Sequence, residues 1–325
     1  MAREIGVQEV VLVGEESVFG TAVAATHSIP TAGDQNLSSV AEYTVDEQAR
    51  GNRANRSGSE VSLLKTEPSW SGDVFSESFG IILKAALGSI SSAANGDASG
   101  LVYDHTITPL NSTALPSYTI RTLGAAVDDR QSTGNVLNEL TIDFASDARA
   151  KYTVSYMGQK GEESTGSAAF DTDDSPFRAN DATVKIAAVG GDLDAAGAAE
   201  VLSGSIVISN NVATHKFTNS DEHGAILGGN LQISGTLTLL WDAATFRDLH
   251  LAGTKQTMRI DLQNTGVTIG TAANPQLKMD LTQVALDEWN KDTSATDTVQ
   301  QTVGFKAELN ATMIEAILTN LTTSY

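Results

Sequence analysis

The residues able to do chemistry are few and dispersed. Five histidines, His27, His105, His215, His223 and His250, are scattered along the chain, and there is no cysteine, so neither a thiolate metal site nor a disulfide framework is available. His215 and His223 share one polar stretch. Their irregular eight-residue separation is a weak metal-ligand signal, and solvated loop histidines are the commoner outcome. Asp171, Asp173 and Asp174, with Asp192 and Asp194 further on, look like calcium ligands at first sight. Neither group keeps the glycine and terminal glutamate of a calcium loop, which favours ordinary acidic loops. No Gly-x-Ser-x-Gly elbow, His-Glu-x-x-His helix, phosphate-binding loop or dinucleotide fingerprint occurs. Among 40 acids a glycosidase-like carboxylate pair is formally available, but nothing singles one out. The expectation is a protein with no catalytic residues, no cofactor and no metal.

Charge narrows the partners. Lys+Arg number 20 against Asp+Glu 40, a formal charge of −20, which argues against gripping nucleic-acid phosphates or anionic lipid. Three arginines, Arg50, Arg53 and Arg56, stand in an aperiodic stretch from Asp46 to Ser59 that reads as a long exposed loop suited to the acids of a neighbouring subunit. Its counterpart, Asn210 to Gly224, carries His215 and Lys216. The start of the chain shows no basic region followed by an apolar run, and no apolar stretch is long enough to span a bilayer, so the expectation is a soluble protein folded in a cytoplasm.

The elements that must position these residues follow from periodicity. Phe75, Phe79, Ile82, Leu83 and Ala86 form one apolar stripe at helical spacing, with Glu77 and Lys84 off it, Asp73 placed to cap the start and Gly88 to end the helix. If the helix starts there, Phe75→Ala should cost about 3–5 kcal/mol. The grammar returns at Trp241, where Trp-x4-Phe again leads from Trp241 to Phe246 with Asp242 between, and the second helix ends near Gly253. Trp70 and Trp241, which could be stacking platforms, are better read with Phe75, Phe79 and Phe246 as core anchors at the junction of strand and helix.

Alternation supplies the rest. Val7 to Val13 reads as a strand, and the cleanest one has Leu231, Ile233, Leu237, Leu239 and Trp241 on one face with Gln232, Ser234, Thr236 and Thr238 on the other. Strands at about 117–123, 136–144 and 150–157 after the first helix are echoed at about 257–263, 277–285 and 302–309 after the second, with a tail strand within Thr312 to Tyr325. In the last of these, Val303, Phe305, Ala307 and Leu309 are expected to face the core. The recurring order reads as a duplicated domain: mainly β, with two β-sandwich domains at 1–160 and 179–325, each flanked by one α-helix, and a Gly/Ser/acid-rich linker at 161–178.

Glu16-Ser17-Val18-Phe19-Gly20-Thr21, the Arg- and Gly-containing loop, Pro68-Ser69-Trp70-Ser71-Gly72, the helix end from Leu83 to Gly88 and the strand pair from Thr141 to Tyr156 together resemble the tail tube proteins (major tail proteins) of bacteriophages with long, non-contractile tails. The likeness lies mainly in residues 8–160. It implies a structural virion protein: a β-sandwich with a helix, whose strands join those of neighbours into a barrel, and rings that stack into a tube through which DNA leaves. Two tube-like domains per chain then imply rings of three with pseudo-sixfold symmetry, with six chains as the alternative. The further partners implied are tape-measure, tail-terminator and tip proteins, with DNA passing unbound and no membrane. Polar strand faces, Glu139, Thr141 and Asp143 in one half and Lys278, Asp280 and Thr282 in the other, are candidates to line the lumen. Arg50, Arg53, Arg56, His215 and Lys216 are candidates for contacts between rings. A β-sandwich adhesin or receptor-binding protein stays open on the sequence, and less readily a β-sandwich hydrolase.

Overall fold

The computed structural model describes residues 9–325 except 33–34, 38, 52, 125–128 and 294–297. The first half contributes β1 (Val10–Glu15), β2 (His27–Ile29), β3 (Ser39–Asp46), β4 (Gly58–Thr66), β5 (Ser69–Asp73), α1 (Gly80–Leu87), β6 (Gly88–Ala94), β7 (Tyr103–Pro109), β8 (Tyr118–Leu123), β9 (Arg130–Ala145), β10 (Lys151–Met157) and β11 (Gly161–Glu163). The second contributes β12 (Ala182–Ala188), β13 (Ala198–Ala199), β14 (Val201–Ser209), β15 (Ala213–Lys216), β16 (His223–Leu227), β17 (Gln232–Leu240), α2 (Thr245–Ala252), β18 (Gln256–Gln263), β19 (Gln276–Asp292), β20 (Gln300–Ala307) and β21 (Ile314–Asn320). The fold is mainly β, a sandwich of large antiparallel sheets flanked by two short helices.

Two long strands organise the sheets. β9 pairs with β8 near its start, then with β10 and β14 on its two sides, so β14 of the second half lies directly against β9 of the first. From there the sheet runs through β17 and β20 to β19. β19 carries β18 and β12 on one side and β21, β7 and β6 on the other. β1, β2 and β8 join the first part of β9 and β11 in a further layer. Inward-facing alternate residues fill one contiguous apolar core drawn from both halves, including Leu140, Ile142 and Val154 with Ile206, Leu237, Met279 and Phe305. Gly204 matters here because a Cβ would lie 2.3 Å from the ring of Phe144, so the bare backbone lets that ring cross β14.

The first helix starts later than its stripe suggests. Residues 69–73 alternate, with Trp70 and Gly72 buried and Ser71 and Asp73 half-buried, and they pair with Lys151–Ser155 of β10. Asp73 therefore ends a strand, pairs with Arg149 at 2.9 Å and caps nothing, while half-buried Phe75 forms a bridge with Pro176 outside the helix. The C-terminal end is as expected, with Gly88 in the left-handed conformation at φ 91°. α1 is not a surface helix with one stripe: every residue in it except Lys84 is buried. Asp242 likewise makes no cap for α2, which ends at left-handed Gly253.

Elsewhere the strand pairing fixes the extent of each segment. The stretch from Asn210 to Gly224 is not an aperiodic loop, because β15 and β16 form a hairpin there. β20 stops at Ala307, leaving Leu309 74% exposed rather than inward. The strand read from Val7 runs over Val10–Glu15, residues 7–8 lying outside the described residues. Residues 161–178 are tied down: β11 pairs with β9, and Phe177 is fully buried with its N–H on the Val74 carbonyl.

Candidate channel and assembly surfaces

One polar face is open and continuous. In register across five strands lie Asp73, Lys151, Asp143, Ser205 and Thr236, and the next row holds Ser71, Thr153, Thr141, Val207, Ser234 and Lys306. Glu139 and Asp143 are exposed and Thr141 is half-buried between Thr153 and Val207. A shallow depression of about 290 Å³, lined by Asp143, Arg149, Lys151, Ser203, Ser205 and Thr236, opens on it. Its charges are largely balanced: Arg149 holds Asp73, Lys306 holds Asp287 at 2.7 Å, and Lys151 stands opposite Asp143. Hydroxyls lie between them, and each of these three cations stands beside a carboxylate.

The matching face of the second half is covered instead. Arg259, only 9% exposed, holds Asp280 through two bonds of 2.6 and 2.8 Å and also reaches Asp194. Asp194 belongs to the segment between β12 and β13, whose Leu193 is buried and whose Asp194 carbonyl accepts from Lys185. Thr282 donates to the Thr312 carbonyl, and Lys278 is half-buried beside Asp261. Arg259 alternates with buried Met258 and Ile260 along β18, yet it too is withdrawn from water. A guanidinium can be withdrawn from water there only because two carboxylates meet it.

The second polar stretch packs on β4, the strand that follows the arginine loop. The arginine loop is the tip of the β3–β4 hairpin, and the Leu64 N–H of β4 donates to the Asp221 carbonyl of the β15–β16 turn at 2.7 Å. Lys160 pairs with Glu222 at 2.7 Å, Gln159 donates to the His223 carbonyl, and Lys216 donates to the Ser62 carbonyl. Arg50 is held by Asp46, whereas Arg53 and Arg56 are exposed with no ion pair among the described residues. His215 is exposed, while His223 is buried and its pKa is lowered, first by burial and then by the charge of Lys65.

The core anchors separate into two kinds. Trp70 is 3% exposed and stacks on Tyr156 at 5.1 Å, and Phe79 is 1% exposed against Tyr152 at 5.2 Å. Trp241 is half-buried, tilted on Trp289, with the Lys291 ammonium 4.0 Å above its ring. Phe246 is a partly buried residue of α2 that packs on the core.

Two buried polar centres escaped the sequence reading. Glu16 accepts from the Gly20 and Gly134 N–H groups and the Ser117 and Thr119 hydroxyls, tying the turn after β1 to β8 and β9. Glu77, placed by helical spacing off the buried stripe, is 3% exposed and accepts from the Leu321 and Thr322 N–H groups and the Thr322 hydroxyl. Burial raises its pKa despite those bonds. A Cβ on Gly80 would lie 2.2 Å from the Tyr325 ring, so the segment after β21 packs directly on the start of α1. The signal for Glu77 is absent locally, because its partners lie some 245 residues away.

His105 completes that junction. Its Nε2 is 2.9 Å from both the Asn320 side-chain oxygen and the Thr322 carbonyl, two acceptors that place the proton on Nε2, so Nδ1 accepts from the Ser92 hydroxyl at 2.7 Å. Burial lowers its pKa from 6.5. The unfolded chain therefore binds this proton more readily, so the stability it contributes is complete above about 6.5 and is lost as pH falls through the folded value. His27 and His223 are lowered by burial in the same sense, while Glu77, raised, acts with the opposite sign. Asp174 and Asp261 are raised in the same sense as Glu77, so the test is the difference: between pH 7.5 and 5.5 the loss of melting temperature should be smaller, or the gain larger, in His105→Gln than in the parent, and equal slopes would remove His105 from the account.

Taken together, these features define a β-rich subunit whose distinctive parts are extended surfaces, and no cluster of three or more potential metal ligands exists among the described residues. The family profile described as phage tail tube protein matches residues 6–312, nearly the whole chain, and the chain belongs to that family. It is thus a structural protein of the phage tail, a setting that implies self-assembly and contact with other tail proteins. A search of curated proteins gave no match.

Proposed function

We propose that copies of this chain close into rings, that the rings stack into the tail tube, and that DNA leaves the virion through its lumen. The observation that carries the reading is the open, hydroxyl-rich face of β5, β10, β9, β14 and β17, on which Arg149, Lys151 and Lys306 each stand beside a carboxylate. DNA moving fast must not be held, and each Lys or Arg contact to phosphate adds sequence-independent affinity. Glu139, Thr141 and Asp143 line the channel in this scheme, whereas Lys278, Asp280 and Thr282, engaged by Asp261, Arg259 and the Thr312 carbonyl, lie outside it. The paired hairpins carrying Arg50, Arg53, Arg56, His215 and Lys216 meet the next ring.

If residues 1–160 and 179–325 are duplicated units joined at 161–178, three chains make a pseudo-sixfold ring. Tubes assembled in the host cytoplasm would be completed by tape-measure, terminator and tip proteins. Electron microscopy of the purified protein should show rings or tubes with a central hole, and native mass spectrometry of rings should give three copies. Six copies would overturn the duplication in its functional form. Compact monomers, a net positive or apolar lining, or tight retention of duplex DNA by tubes at physiological salt would overturn the conduit.

A further inference from the structure

Asn95-Gly96 is the one Asn-Gly pair in the chain. It opens the turn that joins β6 to β7, and both residues are exposed. The Asn95 N–H donates to the Val102 carbonyl and anchors the base of the turn. Gly96 takes φ 89°, a left-handed conformation that suits a residue without a Cβ. The Asn95 side chain folds back over this glycine, its Oδ1 accepting from the Asp97 N–H at 3.0 Å and its Nδ2 lying 3.4 Å from a carboxylate oxygen of Asp104. Asp97 in turn accepts from the Ser99, Thr271 and Ala272 N–H groups at 2.9, 2.9 and 3.0 Å, which ties the turn to the loop between β18 and β19.

That arrangement sets an electrophile beside a nucleophile. Closing the ring from Oδ1 to the Asp97 N–H carries the Asn95 amide carbon towards the peptide nitrogen of Gly96. The Gly96 N–H makes no hydrogen bond among the described residues, so none has to break before it reacts. The Asp97 N–H points at the oxygen that gains charge on attack. Two other asparagines close the same ring and lack the rest. Asn264 accepts from the Gly266 N–H at 3.1 Å, but it is buried, its successor is the β-branched Thr265, and the Thr265 N–H is bonded to the Gln263 carbonyl. Asn320 accepts from the Thr322 N–H at 3.0 Å, but it too is buried, and the N–H of its successor Leu321 is held by the Glu77 carboxylate.

We propose that Asn95 is a self-modification site, at which the folded chain converts its own asparagine through a cyclic imide to aspartate and isoaspartate. Hydroxide removes the Gly96 N–H proton, the nitrogen bonds to Cγ of Asn95, and the negative charge passes to Oδ1, where the Asp97 N–H meets it. The Cγ–Nδ2 bond then breaks, and Nδ2 takes a proton from water and leaves as ammonia, which regenerates the hydroxide. Water opens the imide at either of its carbonyls and returns a proton to the Gly96 nitrogen. The amide and one water thus become a carboxylic acid and ammonia, with no change of oxidation state. The product sets a new carboxylate near Asp97 and Asp104, and isoaspartate also places the Cβ of residue 95 in the main chain just before the Asp97 clamp.

The purified full chain, incubated in buffer, should lose the amide of Asn95 and keep those of Asn264 and Asn320, as read by peptide mapping with mass spectrometry. Methylation by an isoaspartyl methyltransferase should label the same peptide. Loss should quicken from about pH 7 to about pH 9, because base removes the Gly96 proton. Asn95→Gln, which needs a larger ring to cyclise, should lose the label while keeping the parent's melting temperature. A parallel incubation in urea separates the turn from the bare sequence. If the unfolded chain loses the Asn95 amide while the folded protein keeps it, the turn protects the residue and the inference falls. Labelling undiminished in Asn95→Gln, or conversion of Asn264 or Asn320 as fast as Asn95 in the folded protein, would overturn it as well.

Discussion

Phe79→Ala is expected to destabilise the subunit by about 3–5 kcal/mol, the range for removing a large aromatic side chain from a packed core. Phe79 is 1% exposed, tilts against Tyr152 and sits at the residue from which α1 starts, its carbonyl accepting from the Ile82 and Leu83 N–H groups. The turn that leads into it also holds Glu77 and the N–H groups that meet Asp174, so a cavity there loosens a second buried network. Phe75→Ala should cost less, below about 2 kcal/mol, because Phe75 is only half-buried and lies outside the helix. The apolar stripe, by contrast, sets the two positions on an equal footing. Urea or thermal melting of unassembled subunits decides it; assembly must be avoided because self-association raises apparent stability by mass action. Equal losses at the two positions would restore the longer helix.

The comparison shows what local pattern can and cannot carry. Alternating strands such as Gln232–Leu240 and Lys151–Met157 were legible because one face is buried and one polar, and that contrast is written within each segment. Gly88 and Gly253 were legible as helix ends because both adopt positive φ. The start of α1 was not, since Trp70-Ser71-Gly72-Asp73 also alternates with period two and β10 settles the competition from eighty residues away. Gly88–Ala94 has too little apolar contrast to announce a strand, and its placement depends on β7, itself paired to β21 at the far end of the chain.

The same limit governs the surfaces. Asp143 and Asp280 both alternate with buried apolar residues along their strands, yet one is exposed and the other is bound to Arg259. Alternation identifies a polar face without telling an open one from one roofed by a later segment. Proximity of the β3–β4 and β15–β16 hairpins was equally invisible, because the bond from Leu64 to Asp221 joins residues far apart in sequence.

Reversing Arg50, Arg53 and Arg56 to glutamate together should abolish tube growth while leaving the subunit folded. The tip lies between β3 and β4, exposed and outside the core, so folding loses little from the exchange. Formal charge moves from −20 to −26, three positive charges becoming three negative ones, and all of the change is concentrated on one hairpin. An exposed ion pair is worth only about 0.2–1 kcal/mol, but reversal replaces attraction by repulsion at each site, and the same change recurs around every ring interface. Arg53 and Arg56 should carry most of the effect. Arg50 is already held by Asp46 within the subunit, so Arg50→Glu alone would mainly set two carboxylates together at the tip and disturb the hairpin locally. If the block is electrostatic, raising salt to about 1 M, where the screening length is about 3 Å, should restore part of the assembly. Normal tubes from the triple variant at low salt would remove this hairpin from the contact between rings, and a block that salt does not touch would replace charge with shape as its cause.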